Sequence, residues 1–134
     1  VKILIVEDDF ASRKLMQKYL SPYGICEVVV DGEEAVLAFR ESLENDDPFD
    51  LICLDIMLPK KDGQQVLKSI RSMEAARGIE GSAGVKVIMT TALGDAENIM
   101  SAFRSQCEGY LTKPVTRQRL LDEIRELGLM TEGE

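Results

Sequence analysis

The sequence predicts an α/β fold: a five-stranded parallel sheet, doubly wound, with helices on both faces. Three observations predict it. Strand-like and helix-like segments alternate five times along 134 residues, the order that builds βαβ units with right-handed crossovers. Residues 51–54 form a short, wholly apolar run, as expected of a strand buried on both faces of a parallel sheet. A lone carboxylate, Asp55, stands where that run stops, just ahead of the loop residues Pro59 and Gly63. An acid at that place costs free energy unless something pairs with it. Ligands of open α/β sheets collect at the same edge.

Each element can be justified in turn. Residues 1–6 are rich in β-branched side chains and read as a central strand running into Glu7-Asp8-Asp9. Residues 10–20 carry Phe10, Leu15, Met16, Tyr19 and Leu20 at helical spacing, and Pro22 and Gly24 close that helix. A second strand covers 25–30. Asp31-Gly32 turns the chain into a helix over 33–43 with Ala35, Val36, Ala38 and Phe39 inward. The strand ending at Asp55 follows a polar loop. A third helix runs from Gly63 to about Ala76, with Val66, Leu67, Ile70 and Met73 on one face. Residues 77–84, with three glycines and a serine, form a rather long loop. A fourth strand spans 85–91, and a helix over 96–105 buries Ile99, Met100 and Phe103. A short fifth strand spans 109–112 and breaks at Lys113-Pro114. Thr116 then caps a last helix through Leu127 that carries Leu120, Leu121 and Ile124.

Composition narrows the function. The length suits one domain with a proper core, so residues 1–134 are expected to form a single unit. A net charge of −8 argues against direct nucleic-acid binding, which needs clustered Lys and Arg. No apolar run approaches a membrane span and no signal-peptide pattern opens the chain, so a cytoplasmic location is expected. The start at Val1 rather than Met is consistent with excision from something longer. Cys26, Cys53 and Cys107 lack metal or redox spacing and read as reduced thiols. The chain has no histidine, which removes Ser-His-Asp and Cys-His catalysis and most zinc sites.

What remains is chemistry on carboxylates, hydroxyls, lysines and a bound ion. Glu7 and Asp8 end the first strand, Asp55 the third and Thr91 the fourth, while Lys113 follows the fifth. In a doubly wound sheet these strand ends share one edge. Carboxylates gathered there repel until a proton or a cation neutralises them. Hard oxygen ligands on partly wet loops suit Mg²⁺. Phosphoryl transfer to Asp55 fits such a site, with the ion and Lys113 balancing charge on the phosphoryl oxygens and Thr91 donating a hydrogen bond. Each residue also has a plainer reading. Asp55 could cap its loop, Lys113 could be a surface lysine, and Tyr110 a core aromatic. Asp9 reads as an acidic helix start and stays outside the site.

Val6-Glu7-Asp8-Asp9, Asp55-Ile56-Met57-Leu58-Pro59 with Gly63, Thr91-Ala92, and Tyr110 with Lys113-Pro114 resemble the receiver domain of two-component response regulators. The motifs occur in order over nearly the whole chain. The resemblance implies a flavodoxin-like (βα)5 sheet of strand order 2-1-3-4-5, in a stand-alone, chemotaxis-regulator-like receiver. It implies Asp55 as phosphoacceptor, with Mg²⁺ or Mn²⁺ held by Asp8, Asp55 and the Met57 carbonyl, and by Glu7 through water. Glu7 replaces an aspartate found in some members. Thr91 and Lys113 are implied to bind the phosphoryl group, and Thr91 and Tyr110 to act as a switch pair. The implied donor is a histidine kinase or phosphotransfer protein on another chain. The implied output is a downstream protein on the face of the last two helices and the fifth strand. Such a protein is no enzyme toward a separate substrate and catalyses only its own phosphorylation and slow dephosphorylation. Met57 and Leu93, two residues beyond Asp55 and Thr91, are both apolar and are expected to slow hydrolysis. A homodimer through the last helix is compatible with the sequence. A Mg²⁺-dependent phosphohydrolase on a similar sheet, or a receiver cut from a longer DNA-binding regulator, stands as the alternative. Against the phosphohydrolase, Met57 occupies the position where such enzymes commonly place a second acid.

Overall fold

The computed structural model describes residues 1–92 and 106–129. Leu93 and the expected helix over 96–105, with Ile99, Met100 and Phe103, lie outside the described residues. The described strands are β1 (Lys2–Val6), β2 (Ile25–Val29), β3 (Leu51–Asp55), β4 (Lys86–Thr91) and β5 (Gly109–Thr112). The described helices are α1 (Phe10–Leu20), α2 (Gly32–Glu44), α3 (Gly63–Ala76) and α4 (Arg117–Glu126). All strand pairs are parallel, in the order β2-β1-β3-β4-β5. This is the flavodoxin-like order that the resemblance implies.

Local chemistry explains where the helices start. Asp9, Asp31, Asp62 and Thr116 each accept a hydrogen bond from a backbone N–H inside the first turn of α1, α2, α3 and α4. Asp62 and Gln65 form a reciprocal capping box. Asp9 is therefore a cap, as its position outside the site suggests. The loop over 77–84 closes through a 3₁₀ turn at Gly81–Ala83.

Strand alternation divides the core into two layers. Leu4, Val6, Ile52, Leu54, Val87 and Met89 pack with α2 and α3, while Ile3, Ile5, Cys53, Ile88 and Leu111 pack with α1 and α4. β3 is buried at all five positions, because it is central and covered on both faces. One expectation needs correcting. Phe10 and Leu15 are not inward: they are 64% and 47% exposed, whereas Met16 and Leu20 are buried. At 3.6 residues per turn both lie roughly 100° or more around the axis from Met16. The contact stripe of α1 is narrower than its apolar content suggests. Phe10 instead lies beneath the Arg13 and Lys14 cations.

Candidate functional site

The direction of winding changes between β1 and β3, and a crevice opens there at the carboxyl ends of the strands. Val6 pairs with Leu54, so Glu7 and Asp55 are the next residues on adjacent strands. Glu7, Asp8 and Asp55 each offer a carboxylate oxygen, all within 4.8 Å of one another. Glu7 and Asp55 are buried and Asp8 is exposed.

Lys113 reaches this cluster from the other side. Its Nζ lies 2.8 Å from Glu7 Oε2 and 3.1 Å from Asp55 Oδ2. The backbone aims it, because the Lys113 N–H donates to the Thr91 carbonyl at 2.7 Å. Burial raises the Glu7 carboxyl above the usual range, and the Asp55 charge raises it further, against the opposing hydrogen bond from Lys113. Burial works against the Lys113 ammonium, but its bonds to Glu7 and Asp55 win and hold its pKa above the ordinary lysine value.

The neighbouring residues are fixed by the same edge. The Met57 N–H donates to Asp55 Oδ1 at 3.2 Å, while the Met57 side chain is two-thirds exposed. The Ile56 N–H donates to the Thr90 carbonyl. Gly63 lies so close to the strand end that a Cβ there would stand 2.6 Å from the Asp55 carbonyl oxygen. Thr91 ends β4, one residue past Thr90, the register partner of Asp55. Its hydroxyl is buried and has no hydrogen-bond partner among the described residues. Tyr110 is 40% exposed on β5, paired in register with Met89.

The structure thus brings Glu7, Asp8, Asp55 and Lys113 together and places Thr91 on the adjoining strand end. Sequence reasoning missed Arg13, whose Nη1 donates to the Glu7 and Asp8 carbonyls at 3.1 and 3.2 Å. The available signal was a cation one turn into the helix that follows an acidic strand end.

The donor set fits a divalent ion. Three carboxylates against one ammonium leave two negative charges uncompensated among these four groups. All the side-chain donors are hard oxygens. Ligands on opposite sides of Mg²⁺ stand about 4.2 Å apart, so a 4.8 Å spread suits direct ligation by some acids and a water-bridged contact to another.

The family model of the response regulator receiver domain matches residues 3–125. The chain belongs to that family. This receiver is 34% identical over 125 residues to a probable transcriptional regulator ycf27 of Guillardia theta, covering 92% of this chain and 44% of that protein. It is 29% identical over 127 residues to the chemotaxis protein CheY of Halobacterium salinarum, covering 94% of this chain and 95% of that protein. Among solved structures it resembles the receiver domain of a Pseudomonas aeruginosa sensor histidine kinase, which holds a magnesium ion in its active-site cleft. The TM-score is 0.74 at 30% identity, covering 95% of this chain and 97% of the other. The chain spans about half the length of the ycf27 relatives it matches. Receivers of this family are modules of two-component signalling, and Glu7, Asp8 and Asp55 form an acidic cluster that could hold a metal ion.

Proposed function

We propose that this receiver is a phosphorylation switch whose phosphoacceptor is Asp55. The observation that carries the reading is the Lys113 ammonium bridging Glu7 and Asp55 where three carboxylates converge. An Asp55 carboxylate oxygen attacks the phosphorus of a phosphohistidine on a separate donor chain. The P–O bond forms, the P–N bond breaks, and the leaving imidazole takes a proton from solvent. The donor is a histidine kinase or a phosphotransfer protein.

Asp8, Asp55 and the Met57 carbonyl would hold Mg²⁺ or Mn²⁺, and Glu7 would join through water. When bound, the ion offsets negative charge on the phosphoryl oxygens. Lys113 would do the same, giving up part of its contact with Asp55 to a phosphoryl oxygen. The Thr91 hydroxyl, without a hydrogen-bond partner among the described residues, would donate to another.

That new hydrogen bond is how the site signals. Thr91 draws toward the phosphoryl group, and the Tyr110 ring turns inward from its exposed position. Phosphate can bias the two states only because it contacts one of them better. A downstream protein reads the change on the face of β5, α4 and the helix expected over 96–105. The receiver acts on no separate substrate and works in the cytoplasm.

The test is intact mass after incubation with a small acyl phosphate and Mg²⁺. The wild type should gain one phosphoryl group, and Asp55→Asn should gain none. Catalytic release of phosphate without an adduct would overturn the reading in favour of a phosphohydrolase.

A further inference from the structure

The loop from Asp55 to α3 is clamped at two places. One is Gly63, described above. The other lies across the molecule, at the start of α2. The Gly32 N–H faces the Pro59 carbonyl at 3.4 Å. A Cβ built on Gly32 would clash with the Lys61 carbonyl oxygen and stand 2.6 Å from the Lys61 carbonyl carbon. Only a residue without a side chain lets these backbones approach so closely.

Polar contacts close the same corner. Lys60 adopts a left-handed backbone conformation, with φ at 68°. Its Nζ lies 3.5 Å from Asp31 Oδ2. Asp31 is buried, and its other oxygen caps α2 by accepting from the Glu34 N–H at 2.9 Å. The Lys61 ammonium donates to Ser69 Oγ on α3 at 3.2 Å. The loop therefore rests on α2 at its middle and on α3 at its far end.

We propose that the Asp31-Gly32 corner is a positioning seat for the reaction at Asp55. It presses on the loop at Pro59–Lys61, a few residues beyond Met57. Met57 is tied back to Asp55 through its N–H, and its carbonyl is the metal ligand proposed above. This inference rests on the proposed phosphoacceptor reading. Asp31, Gly32 and Lys60 touch neither ion nor phosphate, so they act through the loop backbone. Groups that orient metal ligands from behind are typically worth 10- to 100-fold in metal affinity.

The test compares wild type, Gly32→Ala and Lys60→Met in three measurements. These are Mg²⁺ affinity by calorimetry, phosphorylation rate by a small acyl phosphate across a Mg²⁺ series, and urea stability. Gly32→Ala should weaken Mg²⁺ binding on the order of ten-fold, with most of the phosphorylation rate recovered at saturating Mg²⁺. Lys60→Met leaves the backbone room untouched and should weaken Mg²⁺ binding by a smaller factor, about two- to three-fold. A purely structural corner would lower stability and leave Mg²⁺ affinity unmoved, and that result overturns the proposal. Should Gly32→Ala fail to fold, Lys60→Met decides alone by the same criterion. Wild-type protein that binds Mg²⁺ but gains no phosphoryl group would refute the phosphoacceptor reading, leaving the seat to be judged on Mg²⁺ affinity.

Discussion

Replacing Lys113 with methionine keeps the apolar stem and removes the charge. The ammonium sits 2.8 Å from Glu7 and 3.1 Å from Asp55. At an effective dielectric of 20, those separations correspond to attractions of about 6 and about 5 kcal/mol. Desolvating the ammonium takes back several kcal/mol. The two carboxylates that remain are about 95% buried. Removing one partner from such a group costs about 3–5 kcal/mol, because charge is left buried without compensation. For a domain of this size that is a fall of about 11–18 °C in Tm. The assay is urea unfolding in EDTA and again in saturating Mg²⁺. A divalent ion neutralises the same carboxylates, so Lys113→Met should gain more from Mg²⁺ than the wild type does, and the gap should narrow. Acid should narrow it too. Burial already holds the Glu7 carboxyl above the ordinary glutamate value of 4.5, so its contribution to stability is full below that value. The contribution is lost as pH rises through the elevated one. Without Lys113 that loss deepens at neutral pH. A gap equal in EDTA and Mg²⁺, or a loss below about 1 kcal/mol in EDTA, would refute the counter-ion role.

Three further outcomes are expected. Arg71→Ala strips the guanidinium from Glu74, which is 5% exposed and also accepts the Val85 N–H; urea unfolding should show a loss of about 3–5 kcal/mol that Mg²⁺ does not restore. Burial pushes the Cys53 thiol up to about 12, so thiol-specific labelling of the native protein at pH 8 should modify Cys26 and Cys107 and reach Cys53 only on unfolding. Met57→Asn places a polar side chain at the site's rim; the phosphorylated form, followed by intact mass after donor removal, should decay several-fold faster than wild type. An unchanged decay would remove Met57 from the control of hydrolysis.

Much of the fold was legible because its signals are local. The bounds of α1 and α3 follow from apolar spacing and a following glycine or proline, all within a few positions, whereas their Asp9 and Asp62 caps emerge only in the structure. The burial of β3 follows from an unbroken apolar run. The convergence of Glu7, Asp8, Asp55 and Lys113 was legible because parallel winding carries every strand's carboxyl end to one edge. What was hidden depends on contacts between distant segments. Leu15 reads as core until the width of the α1 contact stripe is known. Gly32 reads as a turn residue until Lys61 is seen against it. The Arg71 guanidinium gathers Glu74, Gln106, Val85 and Glu108, residues that no periodicity relates. The bracing of the Glu7 and Asp8 carbonyls by Arg13 is intermediate, since it is close in sequence but has no distinctive pattern.

The central claim is that one aspartate, held among an acid pair and a lysine at the sheet edge, carries the phosphate. Reductive trapping tests it most directly. The phosphorylated chain is treated with borohydride, which converts an acyl phosphate to an alcohol, and is then digested and mapped by tandem mass spectrometry. Asp55 alone should be reduced, and only after incubation with both donor and Mg²⁺. Reduction at Glu7 or Asp8, or scattered over surface carboxylates, would contradict the account.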